Sequence, residues 1–496
     1  MNLHLKIRSA KYSNQRRMES LKLLKTFIKY ATGSVFALLA GLISTPILTR
    51  LISTEEMGKY SMFITIGGLF ASILYLGLDQ SYVRFYNDEP KENRIALLNK
   101  CLKYPMLVTA IVSVISMLCY QELSTTIIGH SSLTLIIVFD FYLFGLVIDR
   151  FWLLKIRMNQ KAGAYSALNV IRKLAYLFIA ILFYFALWGD KCWSLIVAVT
   201  LAEAVLVIGC RFVERGDWYG KPNKTLTSAQ DIFKYGYPFI FSTTVTLIFH
   251  STDKLMLNAL TDYNQVGLYS GAQNIVNLLT QVQTVFTTFW MPVAYEHFSK
   301  KPEDKDFFIK INKIVSYGML IIAILLLCTK DIVVLFLGTK YRDAVYVFPF
   351  LAFMPIMYTV SESTVMGINF MKKSTYHVWI SVVSALTNAI GNYFLIKNFG
   401  AKGAAISTGL SYMVFFVMRT ILANKVYKVK FALGRFGVSI VLVYMLAIVA
   451  SFMNVNPKFV CLSIGLSIII SILYRDVLCD CFTFMKQWIV MANHRR

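Results

Sequence analysis

"LTRLISTEEMGKYS" (Leu48–Ser61) follows about twenty mostly apolar residues, the run a membrane helix needs. It carries one arginine, two glutamates and a lysine. A second stretch, "LNALTDYNQVGLYS" (Leu257–Ser270), begins 257 − 48 = 209 positions later. Leu48, Leu51, Gly58, Tyr60 and Ser61 return there as Leu257, Leu260, Gly267, Tyr269 and Ser270. None of the four charges returns, because Arg50, Glu55, Glu56 and Lys59 become Ala259, Asn264, Gln265 and Leu268. The stretch therefore reads as a structural corner and not as an active site. Glycine permits a tight turn and tyrosine suits the membrane–water interface. The expectation is an external hairpin that opens each of two related halves.

The 496-residue chain is 57% hydrophobic and 15% charged, against roughly 25% charged in soluble domains. Its mean hydropathy is +0.60. Apolar runs of about 20 residues, the length that crosses a bilayer, recur about fourteen times. They lie at 30–49, 60–78, 104–120, 133–154, 164–187, 192–211, 236–257, 265–290, 312–330, 344–367, 374–396, 403–423, 434–453 and 459–474. The fold class expected is all-α, a polytopic membrane protein with about 14 transmembrane helices. The net charge of +24 invites a nucleic-acid reading, but its placement removes that reading. Assigning the Lys and Arg residues to alternate loops leaves a large excess on the side that holds both termini. Short cytoplasmic loops carry such an excess, so both termini are expected in the cytoplasm. The basic N-terminal segment shows no cleavable signal pattern and is expected to rest on the anionic inner surface. The eight cysteines form no paired extracellular framework. Cys479 and Cys481 make a C-x-C, but two ligands do not make a metal site.

Two further rhymes support the repeat. "LWGDKCWS" (187–194) matches "NFGAKGAA" (398–405) through Gly189/Gly400 and Lys191/Lys402. "FIKYATG" (27–33) matches "FKYGYP" (233–238). The offset spans an even number of helices, so the halves share orientation and form a parallel repeat about an axis along the membrane normal. The expected organisation is a basic segment at 1–29, an N-lobe of six helices at 30–211 and a cytoplasmic linker at 212–235. A C-lobe of six helices at 236–424 follows, then two added helices and a tail at 425–496. Two such bundles suit rocking, alternating-access transport.

Ionisable groups within a bilayer are costly and usually face a bundle interior or water. In the seventh span Thr243, Thr246, His250, Asp253 and Lys254 share one helical face. In the eighth, Gln273, Asn277, Gln281, Thr284 and Thr288 do the same. The two stripes are expected to line a wet cavity, the competing reading being polar glue between helices. In the N-lobe Arg172 and Lys173 sit on span five, Glu203 on span six, and Asp140, Asp149 and Arg150 on span four. Asp149 neutralising Arg172 is one reading. The other is that Arg172, Lys173 and Lys254 supply positive potential for an anionic substrate, since Arg and Lys match phosphate oxygens. Asp79, Glu203, Asp149, Arg150, Glu362 and Arg50 are candidates for ion coupling or gating, and His377 joins them as a titrating group.

No catalytic residue, metal site or cofactor is expected. The chain contains no G-x-x-x-x-G-K-[ST] phosphate loop, H-E-x-x-H or G-x-S-x-G motif. Proton or sodium coupling stays open.

Three elements, "LTRLISTEEMGKY", "DKLMLNALTDYNQVGLY" and "FGAKGAA", resemble the oligosaccharide (Wzx-type polysaccharide) flippases of bacteria. These form a branch of the superfamily that includes multidrug extrusion transporters and the lipid II flippase. The resemblance covers roughly residues 20–425. It implies a multi-pass protein of the bacterial plasma (inner) membrane, not an enzyme. Such a protein would move a polyprenyl-diphosphate-linked oligosaccharide outward for O-antigen, capsule or exopolysaccharide assembly. The partners implied are the lipid-linked oligosaccharide, membrane lipids, and the polymerase and glycosyltransferases of the pathway. Residue by residue, the family's "D[KR]" falls on Asp253 and Lys254, and its corner arginine on Arg50. Arg172 and Lys173 match no family motif. The first helix lacks the arginine pattern of the lipid II branch, which disfavours a peptidoglycan role. A cation-coupled multidrug antiporter of the same fold is the alternative, and a membrane-embedded glycan polymerase a third reading that the short outer loops disfavour.

Overall fold

The computed structural model describes residues 41–186, 190–216, 225–373 and 375–479. The N-terminal segment, most of the first span, Gly189, residues 217–224 of the linker and Cys481 lie outside them. Among the described residues every regular element is helical. They are α1 (41–51), α2 (Thr54–Leu74), α3 (Leu78–Phe85), α4 (Arg94–Leu118), α5 (Tyr120–Ile128) and α6 (Leu133–Met158). Next come α7 (Ala162–Ala186), α8 (Cys192–Val213), α9 (Ala229–Leu260), α10 (Tyr263–Lys300) and α11 (Lys305–Cys328). Then follow α12 (Lys330–Val334), α13 (Phe348–Leu351), α14 (Phe353–Thr364), α15 (Met366–Phe370), α16 (Thr375–Val426), α17 (Leu433–Ala450) and α18 (Pro457–Leu473).

By length and composition seven described helices can cross a membrane, or nine if two bent pairs each count as one span. The bends are 86° between α5 and α6, and 58° between the short helix Thr339–Tyr346 and Phe348–Thr364. α18 is apolar but shorter. α9 and α10 are not in that set, and these are the two helices that carry the polar stripes. The 52-residue α16 is broken at Gly400, whose φ of 53° is left-handed. Glycine alone adopts that conformation without a Cβ penalty, so "FGAKGAA" turns the chain from one helical segment into the next.

The chain divides into two compact units. The first holds residues 41–44 and 63–244 of the described chain and the second 45–62 with 245–479. In the first unit Leu78, Tyr82, Phe151, Trp152, Leu206 and Ile232 belong to one buried core. The start of α9 is tied into this unit by Ser81, whose Oγ donates to Ile232 O at 2.7 Å. Glu89 adds a second tie. Its carboxylate accepts from Thr225 Oγ1, from Leu226 N (3.2 Å), and from Thr227 N (2.8 Å) and Oγ1 (2.7 Å). Burial pushes the Glu89 carboxyl up, but these donors outweigh it and hold the group down at about 2.

The second unit contains both copies of the repeated corner, and each is a helix start. Ser53 caps α2, with its N and Oγ both donating to Glu56 Oε2 (2.9 and 2.8 Å) and its Oγ accepting from Glu56 N (3.3 Å). This is a capping box. At offset 209 Asp262 caps α10 by accepting from Gln265 N at 2.9 Å. Gln265, equivalent to Glu56, turns its Oε1 to Ala401 N at 2.9 Å.

The chain does turn between two helices in each copy, at 52–53 and at 261–262, but the role expected of the glycines is corrected. Gly58 and Gly267 lie inside helices, where two backbones nearly touch. A Cβ on Gly58 would stand 1.9 Å from Tyr263 O, and one on Gly267 would stand 1.8 Å from Thr54 O. Since Tyr263 is Thr54 advanced by 209, the contact is reciprocal. Tyr269 is also not interfacial, being only 2% exposed.

Candidate functional site

Asp253 lies on α9 and is buried. Its Oδ1 accepts from Asn388 Nδ2 (2.9 Å) and Asn392 Nδ2 (2.8 Å), one turn apart on α16. Its Oδ2 accepts from Thr408 Oγ1 (2.8 Å) and Tyr269 Oη (2.5 Å). Hydrogen bonds to a charged group contribute about 1.5–3 kcal/mol each, so four neutral donors hold this carboxylate where a cation would otherwise be needed.

Lys254, the next residue, shares with it a cavity of about 370 Å³. α9 contributes Phe249 and His250, α10 contributes Gln273, Asn277 and Thr280, and α16 contributes Tyr412. His250 Nδ1 lies 3.5 Å from Tyr412 Oη. The Lys254 ammonium makes no hydrogen bond or ion pair with any described residue, so its field is open to the cavity and is offset only by Asp253 nearby. Of the stripes read from the sequence, His250, Asp253, Lys254, Gln273 and Asn277 come together here. Gln281 is half-buried and outside the lining, where Thr280 stands instead. Thr243 is exposed and returns its hydroxyl to Phe239 O.

The charged residues of the first unit are grouped elsewhere. Arg172 Nη1 lies 3.2 Å from Glu203 Oε1 and 3.7 Å from Asp149 Oδ2, bringing α6, α7 and α8 together. The expected Asp149–Arg172 pair is thus a triad with Glu203 as the nearer acid. Arg150 donates from Nε (3.1 Å) and Nη2 (2.7 Å) to Asp79 Oδ2. Lys173 is half-buried beside Arg172, while Arg50, which belongs to the second unit, is exposed at the end of α1. In the second unit Glu362 Oε1 meets Arg419 Nη2 at 2.8 Å, and Arg419 Nη1 also donates to Ser361 Oγ at 2.6 Å. His377 Nε2 pairs with Asn369 Oδ1 at 2.9 Å.

The sequence reading missed Tyr269, Asn388, Asn392, Thr408 and Arg419. Asn388 and Asn392 carried a usable signal, two amides at i and i+4 within an apolar span. Tyr269 was hidden because its repeat partner invited an interfacial reading.

Solved structures share this fold. The lipid II flippase MurJ in an inward closed conformation superposes with a TM-score of 0.69 at 12% identity, over 91% of this chain and 100% of that one. An inward-facing multidrug resistance MATE family transporter of the MOP superfamily gives 0.58 at 14% identity, over 79% and 94%.

The polysaccharide biosynthesis protein family model matches residues 23–298, and the chain belongs to that family. The Methanocaldococcus jannaschii uncharacterized membrane protein MJ1068 is 22% identical over 85% of this chain and 89% of its own length. The Haloferax volcanii probable low-salt glycan biosynthesis flippase Agl15 is 22% identical over 56% and 58%.

Proposed function

We propose that the chain moves a polyprenyl-diphosphate-linked oligosaccharide from the cytoplasmic to the outer leaflet of the plasma membrane, with both termini cytoplasmic. The observation that carries this reading is Lys254, a cation without a hydrogen-bonding partner among the described residues, in a cavity of amides and hydroxyls. Four neutral donors hold the Asp253 carboxylate, which leaves the Lys254 ammonium without an ion pair and able to meet an anionic group. At about 370 Å³ the cavity is at the small end of ligand pockets, which run about 300–1,000 Å³. It suits the diphosphate and its first sugar, with the remaining sugars in water and the polyprenyl chain in lipid. The membership in a polysaccharide biosynthesis family and the flippase name of the Haloferax relative support the cargo class. Alternating access would be driven by a proton or sodium gradient, with the polymerase acting on the delivered unit.

Lys254→Ala is expected to stop surface glycan in a deletion strain while protein level holds, leaving lipid-linked units facing the cytoplasm. Wild-type export by that variant would remove Lys254 from the site. Lipid-linked units that still reach the outside in the deletion strain itself would overturn the reading, and dye efflux on expression would replace it with drug transport.

A further inference from the structure

A second polar cavity, of about 570 Å³, lies wholly within the first unit, where the α3–α4 and α6–α7 turns meet. It shares no residue with the Lys254 cavity. Three cations line it, Lys91, Arg94 and Lys155, against one acid, Glu92.

Lys155 is the buried member, only 2% exposed. Its ammonium lies 4.9 Å from the centre of the Trp152 ring and 3.5 Å from Glu214 Oε2. Glu214 is buried as well and answers other donors. Lys161 Nζ stands 2.8 Å from its Oε1, and Asn159 Nδ2 donates to its two oxygens at 3.3 and 3.4 Å. Tyr86 Oη donates to Asn159 Oδ1 and so orients that amide. One carboxylate here faces two ammonium groups.

Arg94 lies over the Tyr86 ring, 4.2 Å from its centre, and donates from Nε to Glu89 O at 3.4 Å. Its two Nη groups make no hydrogen bond or ion pair with any described residue, and neither does the Lys91 ammonium. The other acids nearby are engaged: Asp88 with Arg84 at 2.7 Å, and the Glu89 carboxylate with the 225–227 segment. Glu92 is exposed, so the lining keeps a surplus of positive charge. The charge bias of cytoplasmic loops places lysines on such turns, but it does not bury one or set an arginine over a ring. A guanidinium fixed on an aromatic ring with its fork uncommitted is arranged for bidentate binding of an oxyanion.

We propose that this cavity binds a phosphate group, held by Arg94 and Lys91 with Lys155 adding its charge. The volume is within the range of ligand pockets. It leaves room beside the phosphate for a substituent of glycerol or sugar size, against the apolar Ile95 and Met158. An anionic phospholipid headgroup and a soluble phosphate ester share this chemistry. The site requires nothing of the flippase reading and stands or falls without it.

The test uses the purified full chain in detergent, with lipid adducts read by native mass spectrometry and soluble ligands by thermal unfolding. The probes are phosphatidic acid and glycerol 3-phosphate, with phosphatidylcholine and sodium chloride at matched ionic strength as their controls. Phosphatidic acid adducts above the phosphatidylcholine level, without a glycerol 3-phosphate shift, assign the site to a headgroup. A glycerol 3-phosphate shift above the chloride level assigns it to the soluble ester. Joint replacement by Arg94→Gln and Lys91→Gln should weaken the binding about tenfold or more, the loss of charge-assisted hydrogen bonds. Arg94→Lys, which keeps the charge and loses the fork, should weaken it less. Lys91→Gln alters an exposed side chain and carries the test alone if replacing Arg94 unfolds the protein. Lys103→Gln removes the same charge from an exposed position of α4 outside the cavity and should change nothing. Neither probe exceeding its control, variants at Lys91 and Arg94 that bind like wild type, or an equal loss in Lys103→Gln would overturn the site.

Discussion

The reciprocal glycine contact makes a quantitative prediction. A Cβ at residue 58 would fall 1.9 Å from Tyr263 O and 2.7 Å from its carbonyl carbon, and one at 267 would fall 1.8 Å from Thr54 O and 2.6 Å from its carbon. Both lie more than 1 Å inside the 3.0 Å that real Cβ contacts respect. The obstructing atoms are backbone, so relief requires α2 and α10 to separate at their starts. That separation strains the hydrogen bond from Thr54 Oγ1 to Asn264 Oδ1 (2.8 Å). Overpacking of this kind costs about 1–3 kcal/mol. Gly58→Ala and Gly267→Ala should therefore each lower the midpoint of thermal unfolding, followed by tryptophan fluorescence in detergent, and by similar amounts. One separation of the helices relieves both clashes, so the double variant should cost clearly less than the sum of the singles, as contacting sites do. Two neutral single variants would refute the close approach, and strict additivity would refute the shared shift.

Two other perturbations follow from the polar groups. Arg172→Ala leaves Asp149 and Glu203 buried together without their cation, a loss of about 3–5 kcal/mol. Its folded yield in size-exclusion chromatography should collapse, and adding Glu203→Gln should restore part of it. Glu89 is held at about 2, below the ordinary carboxylate value, so its tie contributes fully above pH of about 4.5 and fades as pH falls towards about 2. The unfolding midpoints of wild type and Glu89→Gln should differ by a constant amount above that window and converge below it. A gap that widens on acidification would contradict the assignment.

Helical character and the repeated corner were legible because both rest on patterns that recur along the chain: apolar runs of bilayer length, and a helix start written twice. The cation at Lys254 was legible for a related reason, since a charge within an apolar span stands out from its own neighbours. What closes round Asp253 was not. Its donors Tyr269, Asn388, Asn392 and Thr408 come from three separate segments, and nothing local in any one announces the others. The glycines misled for the opposite reason. Sequence records that a side chain is missing, but a turn and a close helix crossing demand the same absence, and only the partner backbone tells them apart. Arg172 shows the same limit among charges, because Glu203 and Asp149 are both plausible by position and distance alone ranks them.

The contact of Gly58 with Tyr263 and of Gly267 with Thr54 has the form of an isologous interface, in which residue i meets j and its equivalent j meets i. Such interfaces belong to twofold homodimers. Here a single polypeptide carries one internally, so the groove left by each glycine is filled by backbone from the other copy of the corner. Expressed alone, either half would present that groove empty, and another molecule of the same half would be the surface best shaped to cover it.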